Sequence, residues 1–128
     1  MELQRLSERA PIVTNAKTSA GECLFLYPYE DWCTLESRLV RLAPDNLKVQ
    51  DYVRFMVSGA SECPIDNQGR TLLPAYLREH AKIERDVVIA GVGDKIELWS
   101  KSLFDDSQHK TLANFEDIAE IVAGLGEQ

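Results

Sequence analysis

Asp66 and Arg70 stand four positions apart in Asp66-Asn67-Gln68-Gly69-Arg70, and they are the residues of this chain best spaced to do chemistry. An aspartate that opens a tight turn can accept backbone N–H bonds from the residues that follow it. Gly69 can take the left-handed conformation that closes a short hairpin loop with a bulge. Arg70 is then left at the tip with a planar fork of donors, which suits a phosphate oxygen or a guanine edge. The flanking runs Ser61 to Ile65 and Arg70 to Leu73 read as short strands. Pro74 stops the second run and suits the first turn of a helix over Ala75 to Ala81. Two readings of the pair follow. Arg70 contacts DNA while Asp66 holds it in place, or the two form a surface ion pair worth ~0–1 kcal/mol that steadies the turn. Asn67 and Gln68 can add hydrogen bonds at the same surface. Arg78, Lys82 and Arg85 form either a solvated helix face or a set of phosphate contacts.

Other chemistry is poorly represented. No nucleophile is paired with a base and no two carboxylates share a defined cleft, so the expectation is that the protein is not an enzyme. Gly91-Val92-Gly93 lacks the third glycine and the following helix of a dinucleotide fingerprint, and reads as a hairpin turn. Cys23, Cys33 and Cys63 are odd in number with no C-x-x-C pair, which suits reduced thiols rather than a zinc site. His80 and His109 are far apart, and neither a metal nor another cofactor is expected. Tyr27, Trp32, Phe55 and Trp99 fall at core spacings rather than on a base-stacking platform.

The chain has 128 residues, enough for one domain or two small, tightly packed repeats. Its formal charge is −7, of which residues 104–128 carry −5. Phosphate binding depends on local patches, so the total does not exclude a nucleic-acid partner. No apolar run reaches the ~18–20 residues of a membrane span, and the start lacks the apolar core of a signal peptide. A cytoplasmic protein is expected.

The positioning elements follow from periodicity. Met1 to Arg9 reads as one or two helical turns with Leu3 and Leu6 on one side. Ile12 to Thr14 and Cys23 to Tyr27 read as strands across a polar turn from Asn15 to Glu22. Trp32, Leu35, Leu39 and Leu42 mark a helix that begins near Tyr29. Asp45 or Asn46 can cap the next helix, which runs to about Gly59 with Val49, Tyr52, Val53, Met56, Val57 and Ala60 inward. Val87 to Ile89 and Ile96 to Trp99 are strands joined by a turn over Gly91 to Asp94. Leu103 and Phe104 begin a helix, Ser107 to Thr111 is polar, and Asn114 can cap a last helix with a stripe of Phe115, Ile118, Val122 and Leu125.

An internal repeat is visible: Ile12-Val13-Thr14 matches Val87-Val88-Ile89, Leu24 to Tyr27 matches Ile96 to Trp99, and Trp32 matches Phe104. The D-x-x-x-R hairpin with Leu77-Arg78, the runs Asp86 to Gly93 and Lys95 to Trp99, Cys23 to Pro28 with Trp32, and Arg54-Phe55 with Ser58-Gly59-Ala60 together resemble the MraZ family of bacterial proteins. The likeness spans roughly residues 10 to 104. It implies an α+β fold, with two AbrB-like, MraZ-type repeats forming a swapped-hairpin, β-barrel-like core with peripheral helices. The implied division is residues 1–60 for the first repeat, 61–104 for the second, and 105–128 for an acidic C-terminal helix.

The resemblance also implies a sequence-specific, nucleoid-associated transcriptional regulator, acting on operator repeats at the promoter of the division and cell-wall gene cluster. Asp66, Asn67, Gln68, Gly69, Arg70 and Arg78 would contact DNA, and the protein would form a ring-like homo-oligomer. The alternative is a non-enzymatic interaction or oligomerisation module with impaired or no DNA binding. The first repeat's own D-x-x-x-R hairpin would fall before Met1, through a shortened gene start, truncation or loss.

Overall fold

The sheet grows from two antiparallel hairpins placed back to back. β1 (Ile12–Thr18) turns at Ser19-Ala20 into β2 (Gly21–Tyr27), and β4 (Val87–Val92) turns at Gly93-Asp94 into β5 (Lys95–Ser100). β3 (Ser61–Glu62) adds a short edge, giving the order β3-β1-β2-β5-β4 with every pairing antiparallel. These features belong to a computed structural model that describes residues 9–126; the expected turns over Met1 to Glu8 lie outside them. The fold is mixed α+β with helices packed on the sheet, as expected. Among the described residues the sheet stays open and does not close into a barrel.

The two hairpins are related by a local two-fold axis. β2 pairs with β5 as Leu24↔Leu98, Phe25↔Glu97 and Leu26↔Ile96, so the axis passes through the Phe25/Glu97 pair. Because Tyr27 pairs with Ile12 and Trp99 pairs with Val88, Ile12 is the counterpart of Val88. The sequence match had placed Ile12 against Val87. A slip of one residue moves every side chain to the opposite face of a strand, so the correction matters. Val13 is thus the counterpart of Ile89, and Ala16 of Val92. The repeat itself stands.

The strands also run further than apolar content indicates. Asn15, Lys17, Thr18 and Glu22, expected in a turn, lie in β1 and β2. Gly91 and Val92, likewise expected in a turn, lie in β4. Ladder hydrogen bonds along a two-residue hairpin hold polar and glycine residues in strands that their own propensity would not form.

One face of the sheet packs Ile12, Ala16, Cys23, Tyr27 and Trp99 against the helices α1 (Tyr29–Leu42) and α2 (Leu47–Ser58), through Trp32 and Met56. Asn46 caps α2, its side-chain oxygen accepting from the N–H of Lys48 at 3.0 Å and of Val49 at 3.2 Å. Leu42 and Tyr52, expected inward, are exposed. The other face packs Val13, Leu24, Leu26, Ile96 and Leu98 against Cys63, Leu77, Ala81 and Ile83, most of them in or beside α3 (Ala75–His80). Cys23 and Cys63 are buried free thiols that behave as small apolar side chains, and burial pushes the Cys23 thiol up to about 12.

After β5 comes α4 (Lys101–Ala113), with the Ser100 hydroxyl accepting from the Leu103 N–H at 3.3 Å. This helix runs unbroken through Ser107 to Thr111, where a polar break was expected. Asn114 alone separates it from α5 (Phe115–Gly126), and its side-chain amide donates back to the Lys110 carbonyl instead of capping α5.

Candidate nucleic-acid interface

The Asp66 carboxylate organises the turn that the sequence singles out. One carboxylate oxygen accepts from the N–H of Gln68 at 2.9 Å and of Arg70 at 2.8 Å. The other accepts from Arg70 Nε at 3.2 Å. The backbone closes the same loop, with Asp66 N–H donating to the Arg70 carbonyl and Gly69 N–H to the Asp66 carbonyl. Gly69 has φ +78°, the left-handed conformation expected of it. The Arg70 and Gln68 amides, with the Arg70 guanidinium, hold the Asp66 carboxyl below the usual carboxylate range.

The Arg70 side chain is about three-quarters exposed and commits only Nε to Asp66. Its two terminal nitrogens have no partner among the described residues. They present a fork outward, pinned at its base. Such a fork can take two acceptors at once, on a phosphate or on a guanine edge.

The flanks differ from expectation. Only Ser61 and Glu62 form a strand; among the described residues Cys63 to Ile65 and Arg70 to Leu73 form no ladder with each other beyond the turn. An isolated two-stranded ladder is marginal in water, and these runs lack a sheet neighbour to extend it. The turn is held instead from below. Glu62 pairs with Ile12, Ser61 with Val13, and Cys63 N–H donates to the Pro11 carbonyl at 3.0 Å. On the far side α3 is fixed by two side chains one turn apart. The Tyr76 hydroxyl donates to the Gly59 carbonyl at 2.9 Å, and His80 Nε2 lies 2.7 Å from the Ala16 carbonyl, with its ring against Phe55. The sequence reading missed both anchors. Their signal was the i, i+4 spacing, which places them on one helix face.

The turn leans over a trough of about 820 Å³ lined by Leu26, Leu73, Val87, Ile89, Ile96 and Leu98. Asp66, Asn67 and Gly69 line it as well, whereas Gln68 and Arg70 do not. Arg78 lies exposed on α3, and no hydrogen bond or ion pair among the described residues joins it to the turn. Its backbone carbonyl accepts from the Ile83 N–H and ends the helix, with Lys82 at φ 58°. Lys82 and Arg85 are exposed on the same connection.

Among the described residues no three His, Cys, Asp or Glu side chains gather as a metal site, and no helix is long and apolar enough to cross a membrane.

Residues 56–123 match the profile of the family described as "MraZ protein, putative antitoxin-like". The chain is 46% identical over 98 residues to a protein of Thermoanaerobacter sp. (strain X514) named Transcriptional regulator MraZ, covering 77% of this chain and 68% of the relative. A protein of the same name from Syntrophomonas wolfei is 43% identical over 111 residues, covering 87% and 78%. One from Heliobacterium modesticaldum is 45% identical over 98 residues, covering 77% and 68%.

Proposed function

The chain belongs to the MraZ family, and from that premise we propose that it is a non-enzymatic transcriptional regulator that binds DNA through the Asp66–Arg70 turn. The observation that carries this reading is the guanidinium of Arg70, anchored at Nε and open at both terminal nitrogens. An ion pair that served only to steady the turn has no need of that orientation. Gln68 adds an outward amide beside it. Asn67 and Gly69 shape the loop, and Arg78 supplies a phosphate contact from α3.

The operator is proposed to be the repeats at the promoter of the bacterial division and cell-wall gene cluster, with the protein on the nucleoid as a ring-like homo-oligomer. The division into residues 1–60, 61–104 and 105–128 belongs to the same proposal. Closing the sheet into a swapped-hairpin core would need a cover over β4 and β5 like the one that residues 61–81 give β1 and β2.

The test is a gel-shift titration on the upstream region of that gene cluster at several salt concentrations. Arg70→Ala should weaken binding by about 1–3 kcal/mol if the fork reads a base edge. If it meets phosphate alone, affinity should fall equally on all sequences and the salt dependence should become shallower. Asp66→Ala should weaken binding indirectly, by releasing the base of the fork. Unchanged affinity in both variants, with the assembly intact, would remove this turn as the DNA-reading element. A net charge of −7 favours the second reading, an assembly module that does not engage DNA. Wild-type protein that gives no salt-dependent shift would establish it.

A further inference from the structure

The local two-fold axis sets out what should cover each hairpin, and the two halves are not covered alike. In the first half α2 returns over β1. Met56 and Val57 pack against that face, and the Thr14 hydroxyl donates to the Met56 carbonyl. Ile12, Thr14 and Ala16 are consequently 6%, 0% and 1% exposed. Their counterparts on β4 are Val88, Ala90 and Val92. The first two are half-buried, and Val92 is 41% exposed.

The helix that should return there is α5, and it does not. Ala43 to Asn46 link α1 to α2, a four-residue connection long enough to reverse the chain. Asn114 alone links α4 to α5, too short for a helix to fold back on its neighbour. None of the described residues of α5 is buried. Its apolar stripe of Phe115, Ile118, Val122 and Leu125, with Ile121 beside it, faces solvent.

Among the described residues each chain therefore has one helix without a seat and one seat without a helix, and its own connection keeps them apart. We propose that α5 of one copy packs over β4 of a second copy, in the place that α2 takes over β1 within the chain. The proposal rests on the self-association in the proposed function and names its surfaces. Every copy gives one helix and receives one, so the exchange saturates in a closed assembly. Glu116, Asp117 and Glu120 flank the stripe; on the receiving face Lys95 lies beside Val92, and Glu97, beside Ala90, is already engaged by the Trp99 indole N–H. Five stripe side chains with on the order of 100 Å² exposed each supply about 500 Å² of the ~800 Å² per partner in a standard interface.

The experiment compares the full chain with Val122→Glu on the stripe and Val92→Glu on the seat, using light scattering after size exclusion and far-UV circular dichroism. Both side chains are exposed within one chain, so the folded signal should persist; the milder Leu125→Gln provides a second stripe variant. The wild type should have the mass of two or more chains, and each glutamate variant should fall to one. An equal mixture of the two variants should recover a two-chain species, because one intact helix still meets one intact seat. A wild type of one-chain mass, a variant that keeps the wild-type mass, or a mixture that stays at one-chain mass would each overturn the exchange. The readout is mass, so its failure is distinct from a failure of Arg70 to bind DNA.

Discussion

Replacing Gly69 by alanine isolates the conformational cost of the turn. At φ +78° an L-residue carries a cost of about 1–2 kcal/mol that glycine avoids. Alanine also restricts the unfolded chain, which returns about 0.4–1 kcal/mol. A Cβ built on Gly69 meets no atom within 4 Å, so no packing contribution enters. At the midpoints of these ranges the net loss is about 0.8 kcal/mol, roughly a fourfold larger opening constant for the turn. Amide hydrogen exchange reads that constant at Gln68 and Arg70, whose N–H groups both donate to Asp66. Exchange there should accelerate by that factor in Gly69→Ala and by less in Gly69→Asn, since asparagine tolerates the left-handed region. Gly69→Gln should behave like alanine, because open space makes size irrelevant. Exchange unchanged in alanine, or a cost that grows with side-chain size, would refute the reasoning.

The same physics reverses sign at Lys82, which holds φ 58° at the end of α3 where glycine is favoured. Lys82→Gly should raise stability by about 0.5–1 kcal/mol in urea denaturation relative to Lys82→Ala, after the unfolded-state cost of glycine is included; a glycine variant less stable than the alanine one would count against it. Asp66 has a depressed folded-state pKa, so its contribution to the turn is present above the unfolded value of ~3.9 and is lost as pH falls through the lower folded value. A carboxyl NMR titration should place the Asp66 midpoint below ~3.9, and in Asp66→Asn the Arg70 amide should lose its pH dependence in that window; a midpoint at or above the ordinary value would contradict the hydrogen bonding described.

What the sequence made legible depended on whether an element's reason lay within its own residues. Asp66 and Gly69 each have a local reason to form the turn and serve as expected, and Pro74 starts α3 as expected although the strand it was to stop is absent. The strands at Leu24 to Leu26 and Ile96 to Leu98 were equally plain, because apolar runs between turn residues carry their own signal. Residues 70–73 have strand-like composition but no ladder partner, and Leu72 is 84% exposed. Asn15 and Lys17 have the opposite history: polar residues held in a strand by the ladder across from Cys23 and Glu22. The one-residue error in the repeat arose because the first hairpin is longer, so side-chain type alone could not fix which pairs are equivalent. The i, i+4 spacing of Tyr76 and His80 put them on one helix face but did not say what they would anchor to, because their acceptors, at Gly59 and Ala16, belong to distant segments.

The sheet is covered unevenly, and the turn and the less covered strand lie on different halves of it. β1 is enclosed by β3 at its edge, by α2 on one face and by α3 on the other. Its counterpart β4 has an open edge, with Ile89 69% exposed on one face and Val92 on the other. A six-residue edge of Val, Ile, Ala and Gly with no lysine or proline is poorly guarded against pairing. The turn hangs from the β1 half, yet Asp66, Asn67 and Gly69 line the trough that ends at Val87 and Ile89. A cover laid over β4 on that side would meet Asp66, Asn67 and Gly69 rather than Gln68 or Arg70, which do not line the trough.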